Sequence, residues 1–159
     1  MTIFQLLMLG ASAFFAYKIY EHIQTLQDTQ EKDESRSAND FSTFDATDLI
    51  QKADEALEQG HLDKALAIYS EANIKSPKND EVLFKMGYTL AKQQRDDEAL
   101  EYFDEALQED ANNPFTYLEM AKIYLRKDDK ERAQNYLQKA LALEPKLQEA
   151  KEFLEGVRA

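Results

Sequence analysis

The 159-residue sequence has no cysteine and just two histidines, His22 and His61. Without cysteine there is no disulfide, no thiolate nucleophile, no sulfur ligand for a metal and no thiol for a lipid. The compartment stays open, since reducing and oxidising spaces both hold cysteine-free proteins. The chain also lacks an HExxH pair and a glycine-rich phosphate loop, and no nucleophile, base and orienting group can be assembled from it. Asp96-Asp97-Glu98 and Asp128-Asp129 resemble metal ligands in composition alone. They stand at expected helix starts, where carboxylates cap free N–H groups and meet the positive end of the helix dipole. No catalysis, cofactor, metal or small-molecule substrate is expected. Positive charge is scarce as well: 19 Lys and Arg face 31 Asp and Glu, a net charge of −12. Phosphate binding needs clustered Lys and Arg, so nucleic acid is not an expected partner. The same balance works against attraction to anionic lipid and favours solubility. Hydrophobic residues make up 43%, enough for a core, and the length suits one modest domain with flanking segments.

What is present begins with an apolar run. Ile3 to Tyr20 reads IFQLLMLGASAFFAYKIY. Eighteen residues at about 1.5 Å each span roughly 27 Å, close to one hydrocarbon core. Lys18 can snorkel to the headgroups, and Tyr17 and Tyr20 fit an interfacial belt. The run therefore predicts a transmembrane anchor over residues 1–26. Two other readings compete. A cleaved signal peptide would use Ala11-Ser12-Ala13, but no Lys or Arg precedes the run and it continues through Phe14 and Phe15. A core helix is the other, since the run is near the short limit for a span. The basic residues Lys18, Lys32 and Arg36 lie at or after its end, which favours a cytoplasmic domain and leaves an extracytoplasmic one open. Residues 27–45 are polar and nearly free of aliphatic side chains. Such a stretch cannot offset its chain entropy by burial and reads as a flexible tether. Phe41 and Phe44 are exceptions, expected to dock on the first helix of the folded domain, with a short recognition motif as the alternative.

The rest of the chain repeats. At a shift of 34 residues Ala65, Ala99 and Ala133 coincide, as do Tyr69, Phe103 and Leu137, and Ala72, Ala106 and Ala140. Pro77 matches Pro145 two repeats on, with Ala111 between them, while Leu83 matches Tyr117 and Met86 matches Met120. A fixed period of this length marks a solenoid. Each unit holds two helical runs around a break. In the second unit Leu83, Met86, Gly87 and Leu90 share one face of the first run. Gln94 to Asp97 is the break, and Ala99, Phe103 and Ala106 face inward on the second run. Gly60 suits the turn inside the first unit, and Pro77 and Pro145 stop second helices.

Over residues 46–147 the pattern resembles the tetratricopeptide-repeat (TPR) family. Lys52-Ala53 and Ala111 depart from its apolar-glycine pair and helix-ending proline. The resemblance implies an all-α fold. It comprises one transmembrane helix, three helix-turn-helix units (46–79, 80–113 and 114–147) and a capping helix at 148–159. Leu147, Ala150, Phe153, Leu154 and Val157 form the apolar side of that cap.

The resemblance also implies a concave groove lined by the first helices, binding a protein or peptide partner. Its positions fall on Thr47, Ile50, Asp54 and Glu58 in unit one. They fall on Glu81, Phe84, Tyr88, Ala91 and Lys92 in unit two, and on Phe115, Leu118, Lys122, Leu125 and Arg126 in unit three. Phe84, Phe115 and Leu118 have no evident core duty. Beside Lys92, Lys122 and Arg126 they form an apolar floor with a basic wall, which suits an apolar and acidic partner segment. Alternatively, the cap or the Phe41/Phe44 segment fills the groove. Chaperone-binding members grip a carboxylate with a Lys and two Asn on the first two units. Ile50, Asp54 and Lys85 stand there instead, so heat-shock co-chaperone function is not expected. The expected role is a membrane-anchored adaptor aiding assembly of a complex. The alternatives are a membrane-tethered holdase and an architectural subunit.

Overall fold

Asp45, Asn79 and Asn113 stand one repeat apart, and each opens a helix. The Asp45 carboxylate accepts from the Asp48 N–H at 2.9 Å, Asn79 Oδ1 from Val82 at 3.1 Å, and Asn113 Oδ1 from Phe115 at 3.0 Å. Each cap satisfies a donor that the first turn leaves unpaired. The helices they open are α1 (Ala46–Glu58), α3 (Asp80–Lys92) and α5 (Pro114–Arg126). Their hairpin partners are α2 (Leu62–Lys75), α4 (Asp96–Glu109) and α6 (Lys130–Leu143), and α7 (Gln148–Arg158) comes last. The computed structural model describes residues 44–158, which form these seven helices.

Helices α1, α3 and α5 also end alike. Gly60, Gln94 and Asp128, again one repeat apart, hold positive φ angles of 77°, 61° and 57°. The next amide then reaches back five residues: His61 to the Ala56 carbonyl at 2.9 Å, Arg95 to Leu90 at 3.0 Å, and Asp129 to Tyr124 at 2.9 Å. This left-handed closure satisfies carbonyls that the last turn leaves free and turns the chain into its hairpin. Unit one uses glycine, which takes the conformation without strain; Gln94 and Asp128 carry a Cβ through it. The break in unit two is shorter than expected, because Asp96 and Asp97 already lie in α4. Of the expected carboxylate caps, Asp129 accepts from the Arg132 N–H at 2.9 Å, while Asp96, Asp97 and Glu98 fill the first turn of α4 and Asp128 is the turn residue.

The periodic residues form the interior. Ala65, Ala99, Ala133, Tyr69, Phe103, Leu137, Ala72, Ala106 and Ala140 are all buried. Leu83, Met86, Gly87 and Leu90 face them from α3, also buried. A Cβ at Gly87 would lie 2.8 Å from the Phe103 ring, so the close approach of α3 to α4 requires glycine there. The equivalents Ala53 and Ala121 are buried too. Helices α2 and α6 stop shortly before Pro77 and Pro145, which disfavour helical backbone in the residue ahead of them. The hairpins stack through α2 on α3 and α4 on α5, and α7 packs on α6. Ala150 and Leu154 of α7 are buried in one cluster with Leu118, Ala121, Leu137 and Ala140, and Leu147, Phe153 and Val157 pack around it.

The folded unit begins at Phe44, within the expected tether. Asp45 is the α1 cap, the Lys52 ammonium sits 3.6 Å from the Phe44 ring centroid, and Lys75 donates to the Phe44 carbonyl. The expected span over residues 1–26, the tether up to residue 43 and Phe41 lie outside the described residues. Among the described residues no helix is long and apolar enough to cross a membrane.

Candidate functional site

The first helices are neighbours. Helix α3 touches α5, and Lys85 of α3 reaches Asp54 of α1 at 2.7 Å. Side chains four residues apart on a helix lie one above the other, so each first helix presents a column. On α3 the column is Phe84, Tyr88 and Lys92. The Phe84 and Tyr88 rings stack at 6.2 Å with 18° between their planes. The Lys92 ammonium lies 4.9 Å from the Tyr88 centroid, a cation–π contact. Both rings are half-buried and Lys92 is exposed. Phe84 does have a core duty, since its ring packs 5.8 Å from that of Phe103.

The equivalent column on α5 is Leu118, Lys122 and Arg126, and it is largely engaged. Leu118 is 1% exposed, in the cluster that α7 completes. The expectation of a surface Leu118 is therefore corrected: the cap takes it into the core. Lys122 bonds Glu119 at 2.8 Å and Glu149 of α7 at 2.6 Å. Burial works against its charge, but the two carboxylates outweigh this and its pKa is raised. Arg126 forms a two-pronged pair with Asp96, its Nε 3.2 Å from one carboxylate oxygen. The expected basic wall is thus neutralised by the protein's own acids at two of three positions. Phe115, at the start of α5, is 53% exposed.

On α1 the column is Ile50, Asp54 and Glu58. Ile50 is half-buried and Glu58 exposed. Asp54 accepts hydrogen bonds from the Tyr69 hydroxyl and from Lys85, and Lys85 also binds Glu81 at 2.8 Å. Burial and the bond to Asp54 push the Tyr69 pKa far up. Burial alone would lower that of Lys85, but its bonds to Asp54 and Glu81 prevail and raise it. Two residues at the carboxylate-gripping positions, Asp54 and Lys85, thus close on each other.

The partners Glu149, Glu119 and Asp96 were not anticipated from sequence. For one family of pairs a signal exists. Gln93–Asp63 (2.8 Å) and Lys127–Asp97 join neighbouring hairpins by the same rung, one repeat later, each spanning 30 residues. Arg126–Asp96 spans 30 residues as well. Among the described residues no cluster of His, Asp and Glu could hold a metal ion.

Tetratricopeptide-repeat profiles match residues 50–114 and 92–155. The chain belongs to the tetratricopeptide-repeat family. A TPR repeat-containing protein of Methanocaldococcus jannaschii is 28% identical over 95 residues, 59% of this chain; the chain spans 15% of that relative's length. Three solved TPR structures superpose well. The Yersinia enterocolitica type III secretion chaperone SycD, in complex with a peptide of the translocator YopD, gives a TM-score of 0.67 at 15% identity, over 70% of this chain and 91% of that one. The TPR2B domain of yeast Sti1 with an Hsp70 peptide gives 0.67 at 17%, over 71% and 95%. The first TPR of Spaghetti (RPAP3), bound to an HSP90 peptide, gives 0.68 at 19%, over 71% and 90%. At these identities the likeness establishes the fold, and the TPR fold is a protein-interaction scaffold. In this TPR domain the first-helix face is acidic on α1, open on α3 and internally paired on α5.

Proposed function

We propose that this chain is a TPR scaffold that binds a peptide segment of a partner protein across its first helices and holds that partner at a membrane. The observation that carries the reading is the α3 column. Its stacked aromatic pair is partly buried against the core, keeps an accessible edge in the middle of the face and ends in an exposed cation. Exposed apolar surface rimmed by charge is the usual mark of a contact site. The chemistry fits a segment that is apolar and acidic. The peptide complexes of TPR neighbours support the same kind of use. The membrane part rests on the apolar run at residues 3–20 and its flanking tyrosines and lysine, and the basic residues favour a cytoplasmic domain. Such a protein serves assembly of a membrane-associated complex. A membrane-tethered holdase is the second reading, favoured by the secretion-chaperone neighbour.

Crosslinking and pull-down of the full-length chain from native membranes tests both. One dominant partner, lost with Tyr88→Glu while the melting curve is kept, supports the adaptor. Many unrelated clients, lost with the same variant, support the holdase. Capture that Tyr88→Glu leaves unchanged excludes this face. A full-length chain with an intact N-terminus that stays in the supernatant after membrane sedimentation excludes the anchor.

A further inference from the structure

The cations on the first-helix face are not equivalent. Lys85, Lys122 and Arg126 each bind at least one carboxylate of the protein. A ligand acid at any of them has to compete with Asp54, Glu149 or Asp96. Lys92 differs. Among the described residues its contact is the Tyr88 ring, and no carboxylate pairs with it. It stands in the last turn of α3, where the helix dipole favours a cation. The ring beneath it holds the ammonium in line with the aromatic pair.

We infer that Lys92 receives a carboxylate from the bound segment, while Phe84 and Tyr88 receive an apolar side chain of the same segment. This rests on the peptide-binding reading above and makes Lys92 the specificity-determining residue of the face. The geometry sets the spacing. Eight helical residues separate Phe84 from Lys92, roughly 12 Å at 1.5 Å per residue. An extended peptide covers that distance in about four residues at roughly 3.3 Å each. The segment therefore carries an aromatic or aliphatic residue and an Asp or Glu about four positions apart. Register is set by opposite charge one unit away, because Glu58 stands on α1 where α3 has Lys92. An acid shifted onto α1 meets repulsion.

A phage-displayed library of random dodecapeptides, selected on the full-length chain in detergent, tests this. The expected result is enrichment of peptides with an apolar residue and a carboxylate about four positions apart. A synthetic copy of an enriched peptide should bind Lys92→Glu about tenfold more weakly, the equivalent of about 1.4 kcal/mol. Lys92→Arg should restore the affinity, and Lys151→Glu, an exposed charge reversal on α7, should not change it. Replacing the peptide acid by Lys should restore binding to Lys92→Glu. Thermal melts confirm that the variants fold. Enriched peptides without an acidic bias, or binding that Lys92→Glu leaves intact while Tyr88→Glu abolishes it, overturn the role of Lys92 and leave the peptide-binding reading standing. A library that yields no enriched peptide overturns both.

Discussion

Phe84 and Leu118 occupy the same place on the first helix of consecutive units, yet Phe84 is only partly buried and Leu118 is 1% exposed. The backbone aims both side chains alike. The difference comes from the helix stacked on each unit. Helix α7 stands next to unit three as α5 stands next to unit two, but it brings Phe153 where α5 has Glu119. Phe153 packs against the cluster that buries Leu118, whereas Glu119 turns to Lys122. Leucine is also shorter than phenylalanine and sinks beneath its cover. In a solenoid the repeat position sets the direction of a side chain, and the neighbouring helix sets its exposure.

The comparison breaks most visibly at Leu118. Leu118→Ala should cost about 2–5 kcal/mol in chemical denaturation, because it empties a buried site. Ile50→Ala, at the same repeat position but half-buried, should cost clearly less. Equal costs would mean that α7 does not cover α5 as described.

Gly87 and Ala121 are the second pair. Unit two sets a glycine against Phe103, and unit three has Ala121 in one cluster with the smaller Leu137. Gly87→Ala should cost about 1–3 kcal/mol through overpacking. The cost should shrink in a Phe103→Leu background, which reproduces the unit-three pairing. A double-mutant cycle reads the coupling directly, and purely additive effects would refute the contact.

Thr116 and Val82 form a third pair. Both are buried, but among the described residues the Thr116 hydroxyl has no hydrogen-bond partner. Thr116→Val replaces an unsatisfied polar group by one of the same shape and should raise stability by about 1 kcal/mol. A destabilised variant would show that the hydroxyl is satisfied in solution.

Gln94 and Gly60 give the smallest effect. Gln94→Gly relieves a left-handed residue with a Cβ but adds freedom to the unfolded chain, so a gain of about 0.5 kcal/mol is expected. Gly60→Gln should move the midpoint the other way. Thermal melts of the two variants compare them.

Much of this was legible in one sequence. The 34-residue period named the interior residues, because close helix contacts demand the same small and large side chains in every unit. Gly60 announced its turn through composition. Gln94 and Asp128 did not, and only their repeat position pointed to the same backbone. The column of Phe84, Tyr88 and Lys92 came from the family resemblance, which maps those positions onto the groove. The ion pairs of Lys122 with Glu149 and of Lys85 with Asp54 were not, since nothing local links residues on different helices.

The sequence by itself determined the helices, the order of the hairpins and the inward side chains that recur at the 34-residue interval. All of these come from short-range periodicity and from contacts repeated at a constant interval. The tertiary structure decided which outward positions remain available. It placed Leu118 under α7, matched Lys122, Arg126 and Lys85 with acids from other helices, and left Lys92 over an aromatic ring. Exposure and charge pairing depend on distances between helices, and those distances exist once the units have stacked.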